Sequence, residues 1–67
     1  MLSHEADFHV MDQGSIVLIV PQNDDAKQWV INNVDVPEWA WFGPGFAVEH
    51  RMAHDLLLGM QAEGFTL

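Results

Sequence analysis

The sequence predicts an α+β domain: a small antiparallel sheet with two helices packed on one face, in the order β-α-β-β-α with a short final strand as an option. Three observations carry this. Ser15 to Val20 is a β-branched run of strand length. Two later stretches place apolar residues at helical spacing. Between them, Gly43-Pro44-Gly45 separates two short aromatic-rich segments, as in a hairpin.

The elements follow in chain order. Residues 1–14 are polar, carry His4 and His9 and show no sustained periodicity, so they read as a loosely ordered lead-in, with a short turn of structure around Asp7 to Met11 as an option, to a single domain over residues 15–67. After Gly14, the strand Ser15 to Val20 is apolar on both faces, the pattern of a central strand covered on both sides. Pro21-Gln22-Asn23 turns the chain and offers Asn23 as a helix N-cap, with Asp24 and Asp25 favoured in the first turn by the helix dipole. From Asp24 to Val34, Ala26, Trp29, Val30 and Val34 form one stripe, and Asp35-Val36-Pro37 ends the helix. Glu38 to Phe42 and Phe46 to Val48 read as two strands joined by a three-residue loop. A second helix is expected over roughly His50 to Glu63, with Met52, Ala53, Leu56, Leu57 and Met60 on one side and Gly64 as the C′ glycine. Phe65-Thr66-Leu67 is the optional last strand.

Composition narrows the function classes. Sixty-seven residues make one small domain, and the absence of cysteine excludes a disulfide framework, a thiolate nucleophile and a Cys-ligated zinc. The formal net charge is −8, with ten carboxylates against one Lys and one Arg. Direct binding to DNA, RNA or anionic lipid rests on cationic side chains, of which this chain has only two. No apolar run reaches the roughly 20 residues of a membrane span. Met1-Leu2-Ser3-His4-Glu5 does not have the basic and apolar regions of a signal peptide, so the expected location is the cytoplasm.

Catalytic chemistry has little to work with. The only hydroxyl side chains are Ser3, Ser15 and Thr66, and no nucleophile elbow or phosphate-cradling loop is present, so the chain is expected not to be an enzyme and to need no cofactor. His50 and His54 stand four apart, as in zinc helices, with Glu49, Asp55, His4 and His9 as further ligand types. Arg51 replaces the general-base Glu of that motif, and two solvated histidines beside a core stripe is the plainer reading.

Two surfaces remain as candidates for binding. Alternation puts Trp39 and Trp41 on one sheet face, either in the core or outward as interface anchors, depending on which face the helices cover. The carboxylates are either a solubilising coat or an imitation of the phosphate backbone. Imitation requires clustering: Asp24, Asp25, Asp35 and Glu38 are expected to form one ridge along the first helix, and Glu49, Asp55 and Glu63 a second along the other.

From Gly14 to Gly64 the chain resembles a group of small proteobacterial and prophage-borne proteins. The residues that carry this are Gly14-Ser15-Ile16-Val17, Ala26, Trp29-Val30, Trp41-Phe42-Gly43, Ala47-Val48-Glu49-His50-Arg51, Asp55-Leu56, Gly59-Met60 and Gly64. They are mostly core and turn residues, so the likeness speaks for a fold more than for an activity. Where that group's hairpin commonly has Gly-Gly followed by Ala, this chain has Gly43-Pro44-Gly45-Phe46. In size, acidity, lack of cysteine and α+β plan the chain also resembles phage anti-CRISPR proteins, several of which imitate duplex DNA.

That resemblance implies an inhibitor of a CRISPR-Cas surveillance complex, with the large, PAM-recognising subunit of a type I Cascade complex as the basic partner. The inhibitor would act as a monomer or weak homodimer inside the bacterial cell. The alternative expectation is a small regulatory or structural interaction domain, antitoxin-like or housekeeping, binding through Trp39, Trp41 and Leu58.

Overall fold

The sheet begins earlier than the sequence predicts. In the computed structural model, which describes residues 6–67, β1 (Phe8–Asp12) opens the fold and pairs antiparallel with β2 (Ile16–Pro21). Next come α1 (Asp24–Asn33), a 3-10 turn (Glu38–Ala40), β3 (Trp41–Phe42), β4 (Gly45–Glu49) and α2 (His50–Ala62). The order is therefore β-β-α-β-β-α, not β-α-β-β-α. The four strands form one antiparallel sheet with spatial order β1-β2-β4-β3.

Of the lead-in expected over residues 1–14, residues 1–5 lie outside the described residues, and Phe8–Asp12 forms a strand because Phe8 and Val10 share a face. Their register partners are Pro21 and Ile19, so both side chains project to the side where Val17, Ile19, Phe46 and Val48 lie. Phe8 is completely buried there. Gly14, at φ +96°, lets the chain reverse between β1 and β2; its N–H donates to Asp12 Oδ1 at 2.8 Å and Gln13 N–H donates to the Ile16 carbonyl at 2.8 Å.

Both helices lie over that same face. Ala26 and Val30 of α1 and Ala53 and Met60 of α2 join Phe8, Val17, Ile19 and Phe46 in one buried cluster. Fully burying a side chain such as Ile19, Phe46 or Met60 is worth about 1.5–3 kcal/mol each, which makes this cluster the main source of stability in a short chain. β2 is thus central in the sheet, but only one of its apolar faces is covered.

The helix boundaries follow local chemistry. Asn23 caps α1 as predicted, its side-chain oxygen accepting from Ala26 N–H at 2.8 Å. α2 ends in a Schellman turn: Phe65 N–H donates to the Met60 carbonyl at 3.1 Å, Gly64 N–H to Gln61 at 3.0 Å, and Gly64 sits at φ +93°.

Three further expectations are corrected. Glu38 to Ala40 is not strand: Pro37 presets the backbone and Ala40 N–H closes a 3-10 turn onto the Pro37 carbonyl at 2.9 Å. The β3–β4 loop has two residues, because Phe42 pairs directly with Gly45; Gly43 at φ +61° fills the first loop position, as a type II′ hairpin requires. Phe65-Thr66-Leu67 forms no strand. Instead the Phe65 ring packs edge-on against Phe8 (5.4 Å) and Trp29 (5.9 Å), and the Thr66 carbonyl accepts from Asp7 and Phe8 N–H. Among the described residues, no helix is long and apolar enough to cross a membrane.

Candidate interaction surface

The strand register, with two contacts of Asp7, places each charged group at one end of the molecule. Asp7 Oδ1 accepts from Asn23 Nδ2 at 2.8 Å and Asp7 Oδ2 from Thr66 N–H at 2.9 Å. These bonds hold the exit of α2 beside the entry of α1, so Glu63 falls at the same end as Asp24 and Asp25. α1 then rises about 15 Å over ten residues. Asp35 and Glu38, which follow it, stand at the opposite end together with Glu49, where α2 begins. Asp55 lies between, on α2.

The two ridges expected from sequence are therefore divided. One carboxylate group gathers Asp24, Asp25 and Glu63; the other gathers Asp35, Glu38 and Glu49. All seven predicted carboxylates are exposed. Among the described residues none of the seven makes an ion pair or a side-chain hydrogen bond, and neither Lys27 nor Arg51 neutralises one.

The tryptophans do not share a surface. Trp41 lies opposite Phe46 in the β3–β4 register and packs on its ring at 5.2 Å, on the helix side of the sheet. Trp39, carried outward by the 3-10 turn, is 80 % exposed. It lines a groove of about 320 Å³ with Val34, Val36, Pro37, Val48, Met52 and Leu56, and Asp35 and Glu49 are part of the same wall. Met52, read from sequence as part of the core stripe, is 60 % exposed in this groove. Leu58, exposed on α2, is not among the groove's residues.

The histidines make a different contact from the one their spacing suggested. His50 Nε2 stands 3.3 Å from Asp12 Oδ2, the one ion pair among the described residues when the imidazole is protonated. The Gly14 N–H and, second, the His50 side chain hold the Asp12 carboxyl below its ordinary value. His54 is exposed, and His4 lies outside the described residues. Among the described residues no group of three or more His, Asp or Glu could hold a metal ion.

One surface escaped the sequence reading altogether. On the side of the sheet without helices, Ile16, Leu18, Phe42 and Ala47 lie together, with Ile16 46 % and Phe42 61 % exposed. The signal was present in β2, whose two apolar faces cannot both be covered when both helices sit on one side.

No family model matches the chain, and no curated protein or solved structure matches it.

Proposed function

We propose that this protein is a non-catalytic acidic inhibitor that binds a basic nucleic-acid-binding surface and competes with DNA for it. The observation that supports this reading is the set of seven exposed carboxylates that make no ion pair or side-chain hydrogen bond among the described residues, six of them divided between the two ends of the molecule and Asp55 between. Carboxylates left unpaired are available to the Lys and Arg of a partner, and a net charge of −8 draws such a partner from a distance.

The dimensions agree with imitation of duplex. Along the 37 Å axis of the molecule, B-DNA carries about 22 phosphates, about half of them on one face. A net −8 is of that order. The target that the anti-CRISPR resemblance points to is the large, PAM-recognising subunit of a type I Cascade complex in the bacterial cytoplasm.

The test is DNA binding by a purified type I surveillance complex, with and without this protein, at low and high salt. The expected outcome is inhibition that fades as salt rises. The two carboxylate groups lie farther apart than the Debye length of about 8 Å at physiological salt, so they act independently. Neutralising Asp24, Asp25 and Glu63, or Asp35, Glu38 and Glu49, each weakens inhibition, and neutralising both groups abolishes it. Full inhibition by the doubly neutralised protein, with the fold intact, overturns the reading.

Trp39 favours a second reading, a regulatory interaction domain that grips its partner through the Trp39–Met52 groove. Binding would then persist at high salt and fail on Trp39→Ala. Salt response separates the two.

A further inference from the structure

The helices cover one face of the sheet, and the other is apolar across all four strands. Met11 of β1, Leu18 of β2 and Ala47 of β4 stand in one row of the register, flanked by Ile16, Val20 and, from β3, Phe42. Val20 closes the surface over Gly45, where an added Cβ would come within 2.7 Å of Val20 Cγ2. An exposed apolar surface of this continuity marks an interaction site rather than scattered surface residues.

Charge identifies the occupant. By strand alternation the ionisable groups on this face, among the described residues, are His9 on β1 and Glu49 at the end of β4. The described carboxylates of α1, α2 and their connections lie off this face, and Asp12 projects to the helix side of the sheet. A basic partner is drawn to those sides, whereas a face whose centre lacks charge has the character of an interface core and needs apolar surface opposite. A second copy of this chain supplies it.

We infer that the open sheet face is a self-association site, at which two copies pack sheet on sheet about a two-fold axis. A standard interface takes about 800 Å² from each partner, about a sixth of this chain's 4770 Å². A contact of that size must spread over all four strands rather than one pocket, with the layers about 10 Å apart. His9 and Glu49 occupy diagonally opposite corners. A two-fold exchanging those corners brings the imidazole of each copy to the carboxylate of the other, in an isologous contact. This inference goes beyond the inhibitor reading and stands without it.

Two chains of like charge repel, so the dimer forms weakly and tightens as salt screens the repulsion. That sign is opposite to the one expected for capture of a basic partner. The experiment is sedimentation equilibrium of the wild-type protein from micromolar to near-millimolar concentration, at low and high salt. The expected result is a monomer–dimer equilibrium that strengthens with salt.

Ile16→Glu and Phe42→Glu each place a carboxylate at an already exposed position of the face. Both are expected to weaken dimerisation at least about tenfold with an unchanged far-UV circular dichroism spectrum. A wild-type protein that stays monomeric throughout overturns the inference. So does a dimer that both variants retain and that Trp39→Ser disrupts, which would assign the contact to the groove.

Discussion

Asp12 joins three parts of the chain at one carboxylate. It accepts from Gly14 in the β1–β2 turn and meets His50 at the start of α2. Because its folded-state value lies below the unfolded one, Asp12 stabilises the fold at pH values above its ordinary titration near 3.8, and that contribution is lost as pH falls through the folded value. Asp12→Asn should therefore be less stable than wild type at neutral pH, and the gap should narrow on acidification toward pH about 2, as followed by urea denaturation at several pH values. The two tryptophans give a contrast of the same kind. Trp41, packed on Phe46, should cost about 2 kcal/mol when replaced by Ala, while exposed Trp39 should cost under about 0.5 kcal/mol. Equal losses in denaturation midpoint would contradict the packing described. Alternation from sequence pairs these residues on one face; the 3-10 turn that separates them follows Pro37, and of its three residues only Trp39 favours strand, Glu38 and Ala40 being of types depleted there.

At the scale of elements, legibility follows how local the cause is. Asn23, Gly64 and the stripes of both helices, Met52 excepted, act within a few residues and are readable from the sequence. β1 was not readable, because only Phe8 and Val10 mark its buried side and its existence depends on β2 lying alongside. The same holds for the C-terminus, where Phe65 packs without pairing and the strand reading mistook a packed tail for a ladder. Asp7 links these nonlocal pieces. Asp7→Ala removes the acceptor for Asn23 Nδ2 and Thr66 N–H and should cost about 1–2 kcal/mol. Asn23→Ala loses the cap and the Asp7 contact together and should cost about 1–2 kcal/mol. Since both variants break the Asn23–Asp7 bond, the double variant should lose less than the sum, a coupling that a double-mutant cycle measures. Strict additivity would mean that the bond contributes nothing. The candidate site obeys the same rule: the identities of its carboxylates are legible, but their division into two groups follows from the strand register, which puts the starts of the two helices at opposite ends of the sheet.

Over the whole molecule, binding and stability place opposite demands on the carboxylates. Ten acidic residues against two basic ones repel one another in the compact state, and the described structure offsets this with a single exposed ion pair. Raising salt should therefore increase the melting temperature. Individual carboxylates should differ when neutralised. Asp24 and Asp25 occupy the first turn of α1, where they interact favourably with the helix dipole by about 0.3–1 kcal/mol each. Replacing them with Asn relieves repulsion but forfeits that interaction, leaving stability near the wild-type value. Glu49, the N-cap residue of α2, shares that compensation, whereas Asp35 and Glu38 do not: Asp35 lies beyond the end of α1, and Glu38 opens only a single 3-10 turn. Neutralising Asp35 and Glu38 should raise the melting temperature by a few degrees in low salt, since about 1 kcal/mol shifts a domain of this size by roughly 4–8 °C. If these groups exist to meet a basic partner, the variant that is more stable should also be the poorer inhibitor. A double variant at Asp35 and Glu38 that gains stability and keeps full inhibition would show that these two carboxylates are a solubilising coat. One that gains stability and loses inhibition would mean that the repulsion is retained for binding.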